Sequence, residues 1–254
     1  MIRSRDLAEW IRQQVSLAGA QGVIIALTGT LESAVAARLC QRAVPGRVVG
    51  AIASCHGDSH DAEDAESIAD LLELPVVRLD LAPAYDRLVG DLEAARLQLE
   101  SDRTAEADAA SETAGMRPAA NLRPRLRMSA LFFIAESLNC LVAGTATRGD
   151  VTLGAFARYG DDAVDLLPLG QLLESDLRGL ARELEIPEAI SERPRTPGVQ
   201  QGAFEQAQVG FSYADLERYL TNGPDGVSPA LAMRIERVLR NSETRRPAAL
   251  IPDL

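Results

Sequence analysis

The chain has 254 residues, 26 basic against 37 acidic side chains, a formal net charge of −11, and no lysine at all, every base being an arginine. This excludes Schiff-base chemistry through lysine, pyridoxal-phosphate enzymes included, and P-loop NTPases whose lysine grips the phosphates. With 46% hydrophobic and 25% charged residues the composition is that of a soluble globular protein able to bury a sizeable core, and the acidic balance argues against a nucleic-acid or anionic-membrane surface.

Residues 6–18 carry Leu7, Trp10, Ile11 and Val15 at helical spacing. The continuous apolar run Val23 to Leu27 suits a strand covered on both faces, as in a parallel sheet. Thr28-Gly29-Thr30 is a turn, and Leu31, Ala34, Val35 and Leu39 give a helix. The cycle repeats with a strand at 48–53, a helix at 61–73, a strand at 75–79 and a helix at 83–98. Residues 100–118 lack this rhythm; they are expected to form a mobile loop or a frayed, alanine-rich helix. A long helix through Met128, Leu131, Phe132, Ile134 and Leu138 leads into a strand at 141–143. Residues 144–170 read as loop with one short strand at 165–167, and helices are expected at 172–185, 213–220 and 228–240, before a C-terminal tail at 242–254. The alternation predicts one α/β domain over 1–254, a doubly wound, mainly parallel sheet with helices on both faces.

No apolar run approaches the roughly 20 residues that span a bilayer. The N-terminus (Met1, Ile2, Arg3) meets charge too early for a secretory signal, and Cys40, Cys55 and Cys140 are too scattered for a disulfide framework. A cytoplasmic location is expected.

In an open parallel sheet, ligands sit beyond the carboxyl ends of the strands. The first such loop, Thr28-Gly29-Thr30-Leu31-Glu32-Ser33, runs straight into a helix, whose free N–H groups and positive end favour an anion. Asp150, after the fourth strand, and Glu32 are two carboxylates suited to sharing magnesium, although solvated surface acids would read the same way. The segment 55–61 holds both histidines, His56 and His60, beside Cys55 and several acids. Adjacent Cys55 and His56 cannot easily share one ion, and the acids suit a helix N-terminus.

The order of these loops, together with Asn121-Leu122-Arg123-Pro124-Arg125-Leu126-Arg127-Met128, Gly144-Thr145, Tyr159-Gly160-Asp161 and Gly210-Phe211-Ser212-Tyr213, resembles the ammonia-dependent NAD synthetase family of the PP-loop (adenine nucleotide α-hydrolase) superfamily, collinearly from about residue 22 to 247. The resemblance implies an enzyme that adenylates the nicotinate carboxylate of deamido-NAD with ATP and Mg2+, then lets ammonia displace AMP. It implies ATP contacts at Thr28, Gly29, Thr30, Glu32, Ser33, Thr145 and Thr196, and magnesium ligands at Glu32 and Asp150. It further implies deamido-NAD contacts at Asn121, Arg125, Arg158, Asp161, Asp165 and Arg245, and a homodimer holding deamido-NAD across its interface. The chain departs from the family pattern at Thr30 (a glycine), Glu32 (an aspartate), Asp150 (a glutamate), Glu174 (a lysine), Ala157 (a threonine) and Ala155 (an aromatic). The alternative reading is a non-catalytic or substrate-shifted paralogue that binds a nucleotide or a partner. A PP-loop sulfurtransferase would want a catalytic cysteine, and only Cys55 lies near a strand end.

Overall fold

The four main expected strands form and run parallel: β1 (Gly22–Ala26), β2 (Val48–Ser54), β3 (Val76–Asp80) and β4 (Cys140–Ala143), in the order β3-β2-β1-β4. The computed structural model describes residues 3–56, 59–101, 111–154, 156–192, 210–242 and 249–253. Helix α1 (Ser4–Leu17) precedes β1, α2 (Leu31–Ala43) joins β1 to β2, and α3 (Ser59–Leu71) joins β2 to β3. Two long helices, α4 (Ala82–Ser101) and α5 (Ser111–Leu138), lead from β3 to β4. Beyond β4 come α6 (Arg148–Leu153), α7 (Glu174–Glu183), α8 (Glu188–Ser191), α9 (Tyr213–Asn222) and α10 (Pro229–Ser242).

Successive side chains of a strand face opposite ways, and here both faces are covered. Val23 and Ile25 of β1 join Leu7 and Ile11 of α1, Val35 and Leu39 of α2 and Ile68 of α3 in one core. Ile24, between them, joins Met128, Leu131 and Ala135 of α5 and Val142 of β4 on the other face. Each such Val, Leu, Ile or Met side chain contributes about 1.5–3 kcal/mol relative to exposure. This is why β1 reads as an unbroken apolar run rather than an alternating one, whereas β3, at the sheet edge, admits Arg78 and Asp80. A third, smaller cluster gathers Leu153, Phe211, Leu216 and Ile235 from α6, the start of α9 and α10.

Several expectations change. Residues 111–118, within the segment read as loop or alanine-rich helix, belong to α5, and 102–110 lie outside the described residues. The stretch 144–170 holds a helix, α6, and α8 was likewise not foreseen; both are too short, at 6 and 4 residues, to show an apolar period. The strand expected at 165–167 is reduced to one residue with two isolated bridges: Leu166 pairs with Ala143 on one side and Leu250 on the other. The segment around Leu250, expected as tail, thus docks on the sheet edge. The N–H of Leu250 donates to the Asp165 carbonyl at 2.9 Å, and that of Leu167 to the Leu250 carbonyl at 2.8 Å. No helix among the described residues is long and apolar enough to cross a membrane.

Candidate active site

From β1 the sheet is built outward through β2 to β3, and the chain then returns to place β4 on the other side of β1. The crevice between the carboxyl ends of β1 and β4 is therefore the topological switch point, where open α/β sheets bind ligands. The loops carrying Thr28–Ser33 and Thr145–Asp150 both leave the sheet there.

Gly29 takes φ +76°, a left-handed conformation that suits glycine, and this turns the chain sharply into α2. Thr30 is the N-cap, and its Oγ1 accepts the Ser33 N–H at 3.3 Å. The Ser33 hydroxyl donates to the Thr30 carbonyl at 2.9 Å, and the Thr28 and Thr30 hydroxyls lie 3.1 Å apart. Glu32, in the first turn of α2, is buried. Gly144 lets the fourth loop press close, since a Cβ there would stand 2.7 Å from Leu167 Cδ2. Asp150 is 1% exposed: its Oδ2 accepts the N–H and hydroxyl of Thr147 at 2.9 and 2.8 Å, which caps α6, and its Oδ1 accepts the Tyr213 hydroxyl at 3.0 Å. The ring of Tyr213 lies over Gly149, where a Cβ would be 3.3 Å from it.

A second group of expected residues collects where the front of α5 meets the turn at 157–162. Arg125 Nε donates to the Arg158 carbonyl at 3.1 Å, and Asn121 lies one helical turn before Arg125. Arg158 stacks on the ring of Tyr159, 4.9 Å from its centre. Asp161 is bound by Arg127, Nη1 to Oδ1 at 2.9 Å, in a pair that is mostly shielded from solvent. Burial pushes the Asp161 carboxyl up, and Arg127 partly opposes this. Asp162 is likewise raised by burial, although it accepts the Gly160 N–H at 3.0 Å. Asp165 stands apart from this group, its Oδ2 accepting the Val142 N–H at 2.7 Å at the edge of β4. Thr145 lies half-buried just after β4, whereas Thr196, Arg245 and Ala155 are outside the described residues.

Glu174 opens α7 and pairs with Arg178 one turn later, at 3.4 Å. It lines a small hollow with Thr147, Gly149, Leu173 and Tyr213, so it faces the start of α6. At the ends of β2 and β3, His56 Nε2 is 2.6 Å from Asp86 Oδ1, His56 packs edge-on against Tyr85, and Arg123 lies over the Tyr85 ring at 5.2 Å. Among the described residues no three His, Cys, Asp or Glu side chains gather as a metal site. Burial raises the pKa of the Cys55 thiol, against the pull of Arg123 and Arg127, which is the wrong direction for a nucleophilic thiolate.

Sequence reasoning gave no role to Arg127 or Tyr213, although both lie in quoted motifs. Their partners are 34 and 63 residues away, and no local periodicity signals a pairing over that distance.

The sequence profile of the NAD synthase family matches residues 3–247. The NH(3)-dependent NAD(+) synthetase of Carboxydothermus hydrogenoformans is 33% identical over 252 residues, covering 99% of this chain and 97% of that protein. The protein of the same description from Syntrophomonas wolfei is 34% identical, over 97% of this chain and 94% of its own. Among solved structures, the NMN synthetase of Francisella tularensis superposes with a TM-score of 0.77 at 26% identity, covering 99% of this chain and 97% of that one. A profile match over nearly the whole length and relatives above 30% identity, on a fold whose switch point carries the expected loops, make this chain a member of the NAD synthase family.

Proposed function

We propose that the chain is an ammonia-dependent NAD synthetase, working as one domain over 1–254. The observation that carries this reading is the meeting of the Thr28–Ser33 and Thr145–Asp150 loops at the switch point of a chain in this family. A carboxylate oxygen of deamido-NAD attacks the α-phosphorus of ATP, the bond to pyrophosphate breaks, and an acyl-adenylate forms. Ammonia then attacks the acyl carbon, AMP leaves with the electron pair of the broken C–O bond, and loss of a proton gives the amide. The chain's part is to position both substrates and to offset phosphate charge. The Thr28–Ser33 loop would cradle the pyrophosphate, with Thr145 and Thr196 as further ATP contacts. Asn121, Arg125, Arg158, Asp161, Asp165 and Arg245 would hold deamido-NAD, the arginines offsetting its phosphates.

Glu32 and Asp150 lie in the first turns of helices that follow adjacent strands, and two carboxylates beside phosphate are an oxygen donor set that fits magnesium. Magnesium bound there would supply neutralising charge to the phosphates. A homodimer is supported by the apolar side chains left exposed on α4 and α5: Leu92, Leu97, Phe133 and Leu138. A cytoplasmic location agrees with this reading.

The structural likeness to the NMN synthetase favours a second reading, a substrate-shifted enzyme that amidates the mononucleotide. Purified protein with ATP, magnesium and ammonia, given deamido-NAD or nicotinate mononucleotide in parallel, tests both. NAD, AMP and pyrophosphate formed in equal amounts from deamido-NAD support the first reading. Turnover of the mononucleotide alone supports the second, and turnover of neither refutes both.

A further inference from the structure

The loop that leaves β1 satisfies some of its own donors. First-turn N–H groups attract an anion because they have no carbonyl partner inside the helix. Here two N–H groups of the loop are already taken by hydroxyls: Ser33 N–H by Thr30 Oγ1 at 3.3 Å, and Thr28 N–H by Ser33 Oγ at 3.4 Å. Ser33 is fully buried, and its hydroxyl is itself committed to the Thr30 carbonyl, so the arrangement is part of the packed structure.

We propose that Thr30 sets how tightly this loop holds a phosphate anion, its hydroxyl standing in for a phosphate oxygen at the Ser33 N–H. The inference rests on the reading of this loop as the pyrophosphate cradle. An arriving anion must displace the Thr30 hydroxyl before it gains that donor. The bond is long and uncharged, and a phosphate oxygen draws an N–H more strongly, so displacement weakens binding without preventing it. The loop thus holds both ATP and released pyrophosphate less firmly than its N–H groups alone would.

The test is calorimetric titration of inorganic pyrophosphate with magnesium, and separately of ATP, into wild type, Thr30→Gly and Thr30→Ser, with melting temperatures recorded. Glycine is itself an accepted N-cap, so Thr30→Gly keeps the helix start while freeing the Ser33 N–H. Should it melt below the assay temperature, Thr30→Ala, which also lacks the acceptor, is read in its place. Thr30→Ser keeps the hydroxyl and loses only the methyl. The expected result is pyrophosphate binding up to about tenfold tighter in Thr30→Gly, the contribution of the neutral hydrogen bond that the anion breaks only in wild type, with Thr30→Ser matching wild type. Equal affinities, weaker binding in Thr30→Gly, or no binding in any protein overturns the proposal. Tightening in both variants assigns the effect to the methyl group and also overturns it. Turnover of the same preparations separates this proposal from the assigned reaction. Wild type that makes NAD while Thr30→Gly binds no more tightly refutes the proposal alone; tightening without NAD formation leaves it standing and refutes the assigned reaction.

Discussion

Replacing Asp150 by asparagine tests how much of the site's architecture depends on one buried charge. Asparagine keeps the shape: its carbonyl can accept from the Thr147 N–H and hydroxyl, and its amide can donate to a Tyr213 hydroxyl turned to accept. The number of hydrogen bonds is preserved and the charge is lost. A hydrogen bond to a charged group contributes about 1.5–3 kcal/mol and a neutral one about 0.5–1.5, so three bonds weaken by about 3 kcal/mol together. Relief from burying a carboxylate that is 1% exposed offsets part of this. A net loss of about 2 kcal/mol is expected, a fall in Tm of about 4–8 °C for a chain of this size. Asp150→Ala leaves all three donors without their acceptor and costs about 4 kcal/mol. Thermal and urea unfolding of wild type and both variants, without nucleotide or magnesium, measures this. Asp150→Asn at or above wild-type stability would refute the reasoning, because desolvation would then outweigh the capping and Tyr213 bonds.

Three further outcomes are expected. Glu174→Lys should bind ATP several-fold more tightly in calorimetric titration, with Glu174→Gln in between; Arg178 offsets little of the wild-type charge, since an exposed pair contributes under about 1 kcal/mol, and equal affinities in all three would place the carboxylate away from the phosphates. Asp215 caps α9 by accepting the Ser212 N–H at 2.9 Å and its hydroxyl at 2.8 Å, which holds its pKa below 3.8. Its stabilisation is present above pH 3.8 and lost as pH falls through the folded-state pKa, so Asp215→Asn should show a smaller stability loss between pH 6 and pH 3 in urea unfolding. Phe133, 74% exposed on α5, should be part of the dimer contact, and Phe133→Arg is expected to sediment as a monomer where wild type sediments as a dimer.

The central strand β1 was readable because it is covered on both faces and so written as an unbroken apolar run, whereas the edge strand β3 carries Arg78 and Asp80 and is marked mainly by its place in the alternation; the expected 48–53 differs from the observed Val48–Ser54 by one residue. The pairing of Glu32 with Asp150 assumed that the first and fourth loops are adjacent, which alternation alone does not fix and the order β3-β2-β1-β4 supplies. The short helix α6 was missed because six residues give too little period, although Thr147 and Asp150 have the spacing of a capping box and were available as a signal. Glu32 and Asp150 were legible as acids near strand ends, but Asp150's engagement by Thr147 and Tyr213 was not, since it depends on how α9 folds back across 63 residues. In the sequence Thr30 stands out only as a replacement for the family's glycine. Its hydroxyl, which takes an N–H that the turn would otherwise leave open, is visible only once the backbone of the loop is in place.

The bridge from Ala143 through Leu166 to Leu250 also bears on how the molecule assembles. Strands β1 to β3 and their covering helices can form from a contiguous stretch, but the outer edge beside β4 is completed by a residue 84 positions after Leu166, with Ile251 packing onto Gly170. Until that segment arrives, the N–H of Leu167 and the carbonyl of Asp165 are open to water or to another chain. A folding intermediate lacking only this last contact would present a sheet edge to its neighbours. Aggregation during refolding should therefore rise with protein concentration and track the docking of the Leu250 segment rather than the formation of the central strands.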